Sequence, residues 1–274
     1  MSIKKELANL DEVPDEFINA VEKENKKVFD AVFKLLTELD QVDGNISPTA
    51  ANLQRIQLIT NALSDALFDG GYLDAVKKYV KEFESHGEII KDVFKKNFQV
   101  KENPLYQEVI KNAQRNTLKL FDEAAIENVL ATPVRDILTQ SITTGMKFSD
   151  MTKNIKDFIE GSSEVDGRLV KYAKTYAHDS FTIFDRSFTQ AVNKDVDVQF
   201  WEYAGNEIRD TREFCHDRVG KVYSNEEIKS WAAEDWQGKN PNTTEDTIFN
   251  YLGGYNCRHT LLPVSEDRFK EIMK

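Results

Sequence analysis

Apolar residues at Phe17, Val21, Val28, Val32, Leu35 and Leu39 recur in steps of three, four and seven. That spacing keeps them on one face of a helix over 15–39. Gly44 and the Ser47-Pro48 pair then punctuate the chain, with Ser47 as the expected N-cap and Pro48 at the first helical position. A second helix carries Leu53, Ile56, Ile59, Leu63 and Leu67 to the stop at Gly70-Gly71. Helical periodicity returns at Tyr72, Val76, Tyr79 and Phe83, at Ile89, Ile90, Val93 and Phe94, and from Leu105 to about Leu130, with Pro104 and Pro133 as boundaries. Val134, Ile137, Leu138 and Ile142 follow, then a break at Gly145 and a short helix through Ile155 and Ile159 to Gly161.

Residues 165–192 read as one long helix with Leu169, Tyr172, Ala173, Tyr176, Ser180, Ile183, Phe184 and Phe188 on a broad apolar face. The texture then changes. VQFWEYAG (198–205) alternates large apolar and polar residues as a strand does, and KVYS leads into NEEIKSW as a strand followed by a helix. Ser224 and Glu227 have the spacing of a capping box. After the polar QGKNPNTTED loop, TLLPV forms a last strand and a short helix starts at Ser265. The fold class is therefore mainly α: a helical N-terminal region, 1–164, and a small C-terminal α+β module, 165–274, hinged at GSSEVDG. Strands are expected only after about residue 196.

A chain of 274 residues with 40% hydrophobic and 30% charged residues can bury a core without staples. Its net charge of −11 disfavours nucleic acid as a primary partner. KDVFKKNFQVK (91–101) interleaves lysine with aromatics, a pattern that can touch nucleic acid but more often marks a solvated helix face. The start MSIKKELANLDEV lacks the apolar core of a signal peptide, and no apolar run approaches the ~20 residues of a membrane helix. Synthesis in the cytoplasm and no membrane contact are expected.

The two cysteines stand in Cys215-His216 and in GGYNCRHTLLPV (253–264), which holds Cys257-Arg258-His259. Nitrogen and sulfur donors in two short clusters are what a tetrahedral structural zinc requires, with Cys215, Cys257 and His259 as the favoured ligands. No other cofactor is expected. Two further readings stand open: both cysteines as small buried apolar residues, or a disulfide formed after lysis. Asp210, Arg212, Glu213 and Asp217 also permit an acid/base reading, and Cys215 beside His216 a nucleophile with its base. No oxyanion or phosphate loop accompanies them, so no catalytic residue is assigned. Arg212 and Arg258 are expected to pair with carboxylates, and His86 and His178 to be ordinary surface or core histidines. Trp201, Trp231 and Trp236 are expected in the core or at a subunit contact.

In this module the Asp210-Thr211-Arg212 step, Cys215, the Gly220-Lys221-Val222 turn and Asn256-Cys257-Arg258 before a strand ending near Pro263 occur in an order that resembles the Mu F-like minor head proteins, the head morphogenesis family of tailed bacteriophages. The resemblance spans about residues 165–265. Many relatives carry Cys-Arg-Cys where this chain has Cys257-Arg258-His259. The family implies a minor capsid protein, made in the host cytoplasm and carried in the virion at the head interior or portal vertex. Its partners would be the portal protein and other head proteins, with weak or indirect DNA contact and a link to DNA packaging or ejection. The rivals are a virion-delivered cysteine hydrolase or nuclease and a DNA-associated internal virion protein.

Overall fold

A computed structural model describes residues 2–272. In chain order it contains α1 (Ser2–Leu36), β1 (Gln41–Val42), β2 (Asn45–Ile46), α2 (Ala50–Phe68), α3 (Tyr72–Phe94), α4 (Pro104–Leu120), α5 (Glu123–Ile126), a π-helical turn (Glu127–Ala131), α6 (Thr132–Thr143), α7 (Phe148–Ile159) and α8 (Arg168–Val196). The C-terminal part adds β3 (Phe200–Ala204), α9 (Glu213–His216), β4 (Val222–Ser224), α10 (Asn225–Ser230), a 3-10 turn (Trp231–Ala233), α11 (Ile248–Tyr251), β5 (Thr260–Val264) and α12 (Glu266–Ile272). The protein is 66% helical with two small sheets, which makes it mainly α with a small C-terminal α+β portion. No helix among the described residues is long and apolar enough to cross a membrane.

Several boundaries differ from the periodicity. The first helix starts at Ser2 and continues through Pro14. A two-residue hairpin stands in the first half, β1 against β2, because Asp43 (φ 52°) and Gly44 (φ 76°) adopt the left-handed turn that joins tight hairpins. The cap of α2 is Thr49 rather than Ser47, and its side chain accepts the Asn52 N–H. The expected single helix from Leu105 breaks at Asp122, which caps α5 by accepting from Ala125 N. Pro133 does not end a helix, since it lies in the first turn of α6 directly after the π-helical turn. GSSEVDG closes on itself, with Gly161 bridged to Asp166 and Ser162 N–H donating to Val165 O.

Contacts divide the chain into two interleaved units. One comprises Met1–Pro14, Tyr79–Thr117 and Tyr176–Lys274, the other Asp15–Lys78 and Leu118–Thr175. The sequence-based division, 1–164 against 165–274, cuts the chain once, whereas these units alternate along it. In the second unit Val21, Val28, Val32, Ile59, Leu63, Leu138 and Ile155 are buried, and Phe17 meets Phe121 edge to face with ring centroids 4.9 Å apart.

The first unit is built around the latter part of α8. Phe184 stacks on Phe83 at 4.8 Å, Phe181 lies 5.4 Å from Phe83, and Phe188 packs 5.5 Å from Tyr106. Of the expected apolar face Leu169, Ala173, Phe184 and Phe188 are buried but Tyr176 and Ile183 are exposed, while Ala177, Phe181 and Val192 are buried in addition. His178, Thr182, Asp185, Arg186 and Thr189 are buried as well, so the helix is enclosed over more than its apolar stripe. The sheet is antiparallel in the order β4-β3-β5, with Trp201 opposite Tyr223 on one side and Pro263 on the other. Pro263 is tolerated because β5 is an edge strand.

Candidate metal centre

Cys215 lies in α9 and Cys257 in the turn before β5, yet their sulfurs are 3.9 Å apart. His259 Nδ1 is 3.7 Å from the Cys257 sulfur, and the donor atoms of all three residues lie within 4.8 Å of one another. All three are buried. Two thiolates bound at ~2.3 Å to a tetrahedral ion stand about 3.8 Å from each other, and a thiolate and an imidazole nitrogen about 3.6 Å. The pairs that include Cys257 therefore already have the separations a shared metal ion imposes. The sulfurs are too far apart for a disulfide of ~2.0 Å, and both thiols are free. This group can hold a metal ion.

The backbone explains the convergence. Gly253 allows it directly, since a Cβ there would lie 2.3 Å from the Cys215 sulfur and 2.9 Å from that of Cys257. Gly254 adopts φ +89°, and a Cβ on it would collide with Gly238 O at 1.9 Å. Gly205, at the end of β3, faces His259 so closely that a Cβ would approach the ring to 2.8 Å. The Gly-Gly of GGYNCRH is thus the space in which the two cysteine loops meet.

Arg186 ties this turn to α8. Its guanidinium donates to His259 O at 2.9 and 2.7 Å, to Cys257 O at 2.6 Å, and to Asn250 O and Tyr251 O at 3.2 Å each. Two turns earlier, Asp179 accepts the Asn256 N–H. Asp185 accepts from the Thr260 hydroxyl and is bonded to His86 Nε2 at 2.8 Å. Tyr203 in β3 donates to the Cys215 sulfur at 3.2 Å and stacks on His259.

Electrostatics follow the same contacts. The hydrogen bond with Cys215 pulls the Cys257 thiol well down, against burial and with help from the nearby Arg186 charge and His259. Cys215 is pushed up by that same hydrogen bond and by burial. Two buried cysteine sulfurs beside an imidazole, within reach of a guanidinium, are a metal-binding donor set. His259 turns Nδ1 to the Cys257 sulfur, while its Nε2 is buried without a hydrogen-bond partner.

No family model, curated protein or solved structure matches the chain.

The other sequence candidates separate from this centre. His216 is exposed and bonded to Glu207, which raises its affinity for a proton, so it is not arranged as the base of Cys215. Arg258 pairs with the Asp11 carboxylate at 2.9 Å. Arg212 donates to Tyr255 O at 2.6 Å. β5 pairs with β3, which lies between it and the KVYS strand. In KDVFKKNFQVK, Lys91 is buried and held by Glu88 and Glu102. Trp201 and Trp231 are core residues, while Trp236 stacks on Phe214 at 4.0 Å. His86 and His178 are both buried.

Sequence reasoning missed Arg186, Asp185 and Asp179. A signal existed: Asp179 and Arg186 stand seven residues apart on α8, within an otherwise aromatic run. Charged residues at that spacing in a helix with apolar neighbours mark a buried polar stripe that must find partners.

Proposed function

We propose that this chain is a Mu F-like minor head protein acting in head morphogenesis, which binds the portal or a neighbouring capsid component and contacts DNA weakly. Its Cys215, Cys257 and His259 hold a structural zinc that closes the C-terminal module. The observation that supports this reading is the meeting of dispersed motifs. The Cys215 helix, the Asn256-Cys257-Arg258 turn and the strand through Pro263, which carry the resemblance, surround one cluster of metal-type donors. An ion there would pin two loops whose own secondary structure is short. The charge of −11 suits a protein partner better than a phosphate backbone.

The test is co-sedimentation of the full chain with the portal protein of the same phage, alongside duplex DNA binding at moderate salt. Portal binding with weak DNA binding is expected. Tight DNA binding without portal binding would sink the assembly role in favour of a DNA-associated internal protein. Elemental analysis of the purified chain should find about one zinc. His259→Ala and Cys215→Ser should each lower that content, and His216→Ala should leave it unchanged.

A further inference from the structure

Three protein donors leave a tetrahedral ion one position short. Among the described residues no fourth histidine, cysteine or carboxylate joins the cluster. His216, next to Cys215 in sequence, is turned out onto Glu207, and Asp179 is engaged by the Asn256 N–H. The Tyr203 hydroxyl donates to the Cys215 sulfur at 3.2 Å and so acts on a ligand rather than replacing one.

What borders the three ligands instead is a cavity of about 30 Å³, lined by Cys215, Cys257 and His259 together with Asn206, Asp210, Thr211, Arg212 and Arg258. A water needs only ~10–15 Å³ of such space and two or more polar partners, so this cavity has room for one or two waters. Asn206 and Asp210 are exposed, so the space communicates with solvent. Arg212, Arg258 and Asp210 stand on its wall, and the two guanidinium groups are already engaged, by Tyr255 O and by Asp11.

We propose that the centre is an open Cys2His site whose fourth position takes an exchangeable water, replaceable by a small anion entering through this cavity. The inference rests on the zinc reading above. It changes what that ion does: a site closed by four protein ligands only staples, whereas an open one keeps a ligand position available to chemistry from outside.

Cobalt(II), loaded into the metal-free full chain, tests this, with azide as the probe and metal content measured before and after its addition. One cobalt per chain with thiolate charge-transfer bands is expected, and azide should shift the visible d–d bands saturably without removing the metal. Tyr203→Phe should respond in the same way. Bound cobalt whose spectrum ignores azide overturns the open position, and a response seen in Tyr203→Phe alone overturns it by making the phenol the fourth ligand. Failure to bind cobalt at all overturns the zinc reading beneath it, so the two failures are distinct.

Discussion

Replacing Arg186 by methionine keeps most of the side-chain volume and removes every hydrogen bond to the cysteine turn. Four carbonyls lose the guanidinium, those of Cys257 and His259 from buried bonds and those of Asn250 and Tyr251 from partly buried ones, and Tyr251 O keeps the Gly254 N–H. A buried polar group left unpaired costs ~1–3 kcal/mol, so the two buried carbonyls contribute about 4 kcal/mol, and water can satisfy much of the other two. Removing a guanidinium that is only 2% exposed returns part of its desolvation cost. The net expectation is a loss of about 3 kcal/mol. Arg186→Lys should recover a minority of it, because a single ammonium cannot span carbonyls that a planar fork reaches together. Urea unfolding followed by tryptophan fluorescence, in excess chelator so that metal loss is not counted, gives the difference. Amide exchange at Arg258–Thr260 should accelerate in the same variant. A loss below ~1 kcal/mol at unchanged m-value would refute the view that Arg186 holds this turn.

Gly253→Ala places a methyl group 2.3 Å from the Cys215 sulfur, so it should cost ~1–3 kcal/mol by overpacking and lower zinc content; normal content on elemental analysis would contradict the close approach. Glu6 is buried, and burial, followed by the Asp185 charge, raises its carboxyl well above the usual range, with Lys96 opposing. The fold thus favours the protonated form, a contribution fully present below the ordinary carboxylate pKa and lost as pH rises through the raised one. Glu6→Gln should therefore melt higher than the parent near neutral pH, with the gain shrinking toward pH 4; an equal melting difference at both pH values would exclude this assignment.

Much of the fold was legible because helical burial is periodic and local. Val28, Val32, Ile59, Leu63, Phe83 and Leu138 are buried where the pattern puts them, and the Ser224–Glu227 capping box is formed in full. Phase was less secure where a helix is enclosed on several sides, which is why Tyr176 and Ile183 face solvent while Arg186 does not.

The sequence by itself determined the helical class, the strand segments after residue 196, and the donor types available in Cys215, Cys257 and His259. Only the tertiary structure decided that these donors meet, that β3 separates β4 from β5, and that Arg258 answers Asp11. Periodicity reports which side of one element is buried, whereas strand order and loop convergence depend on contacts between residues far apart in the chain. Those contacts are set by shape and by the need to satisfy buried polar groups. The Cys257 turn shows both: a missing Cβ at Gly253 makes room for the sulfurs, and a guanidinium from a distant helix fixes the carbonyls around them.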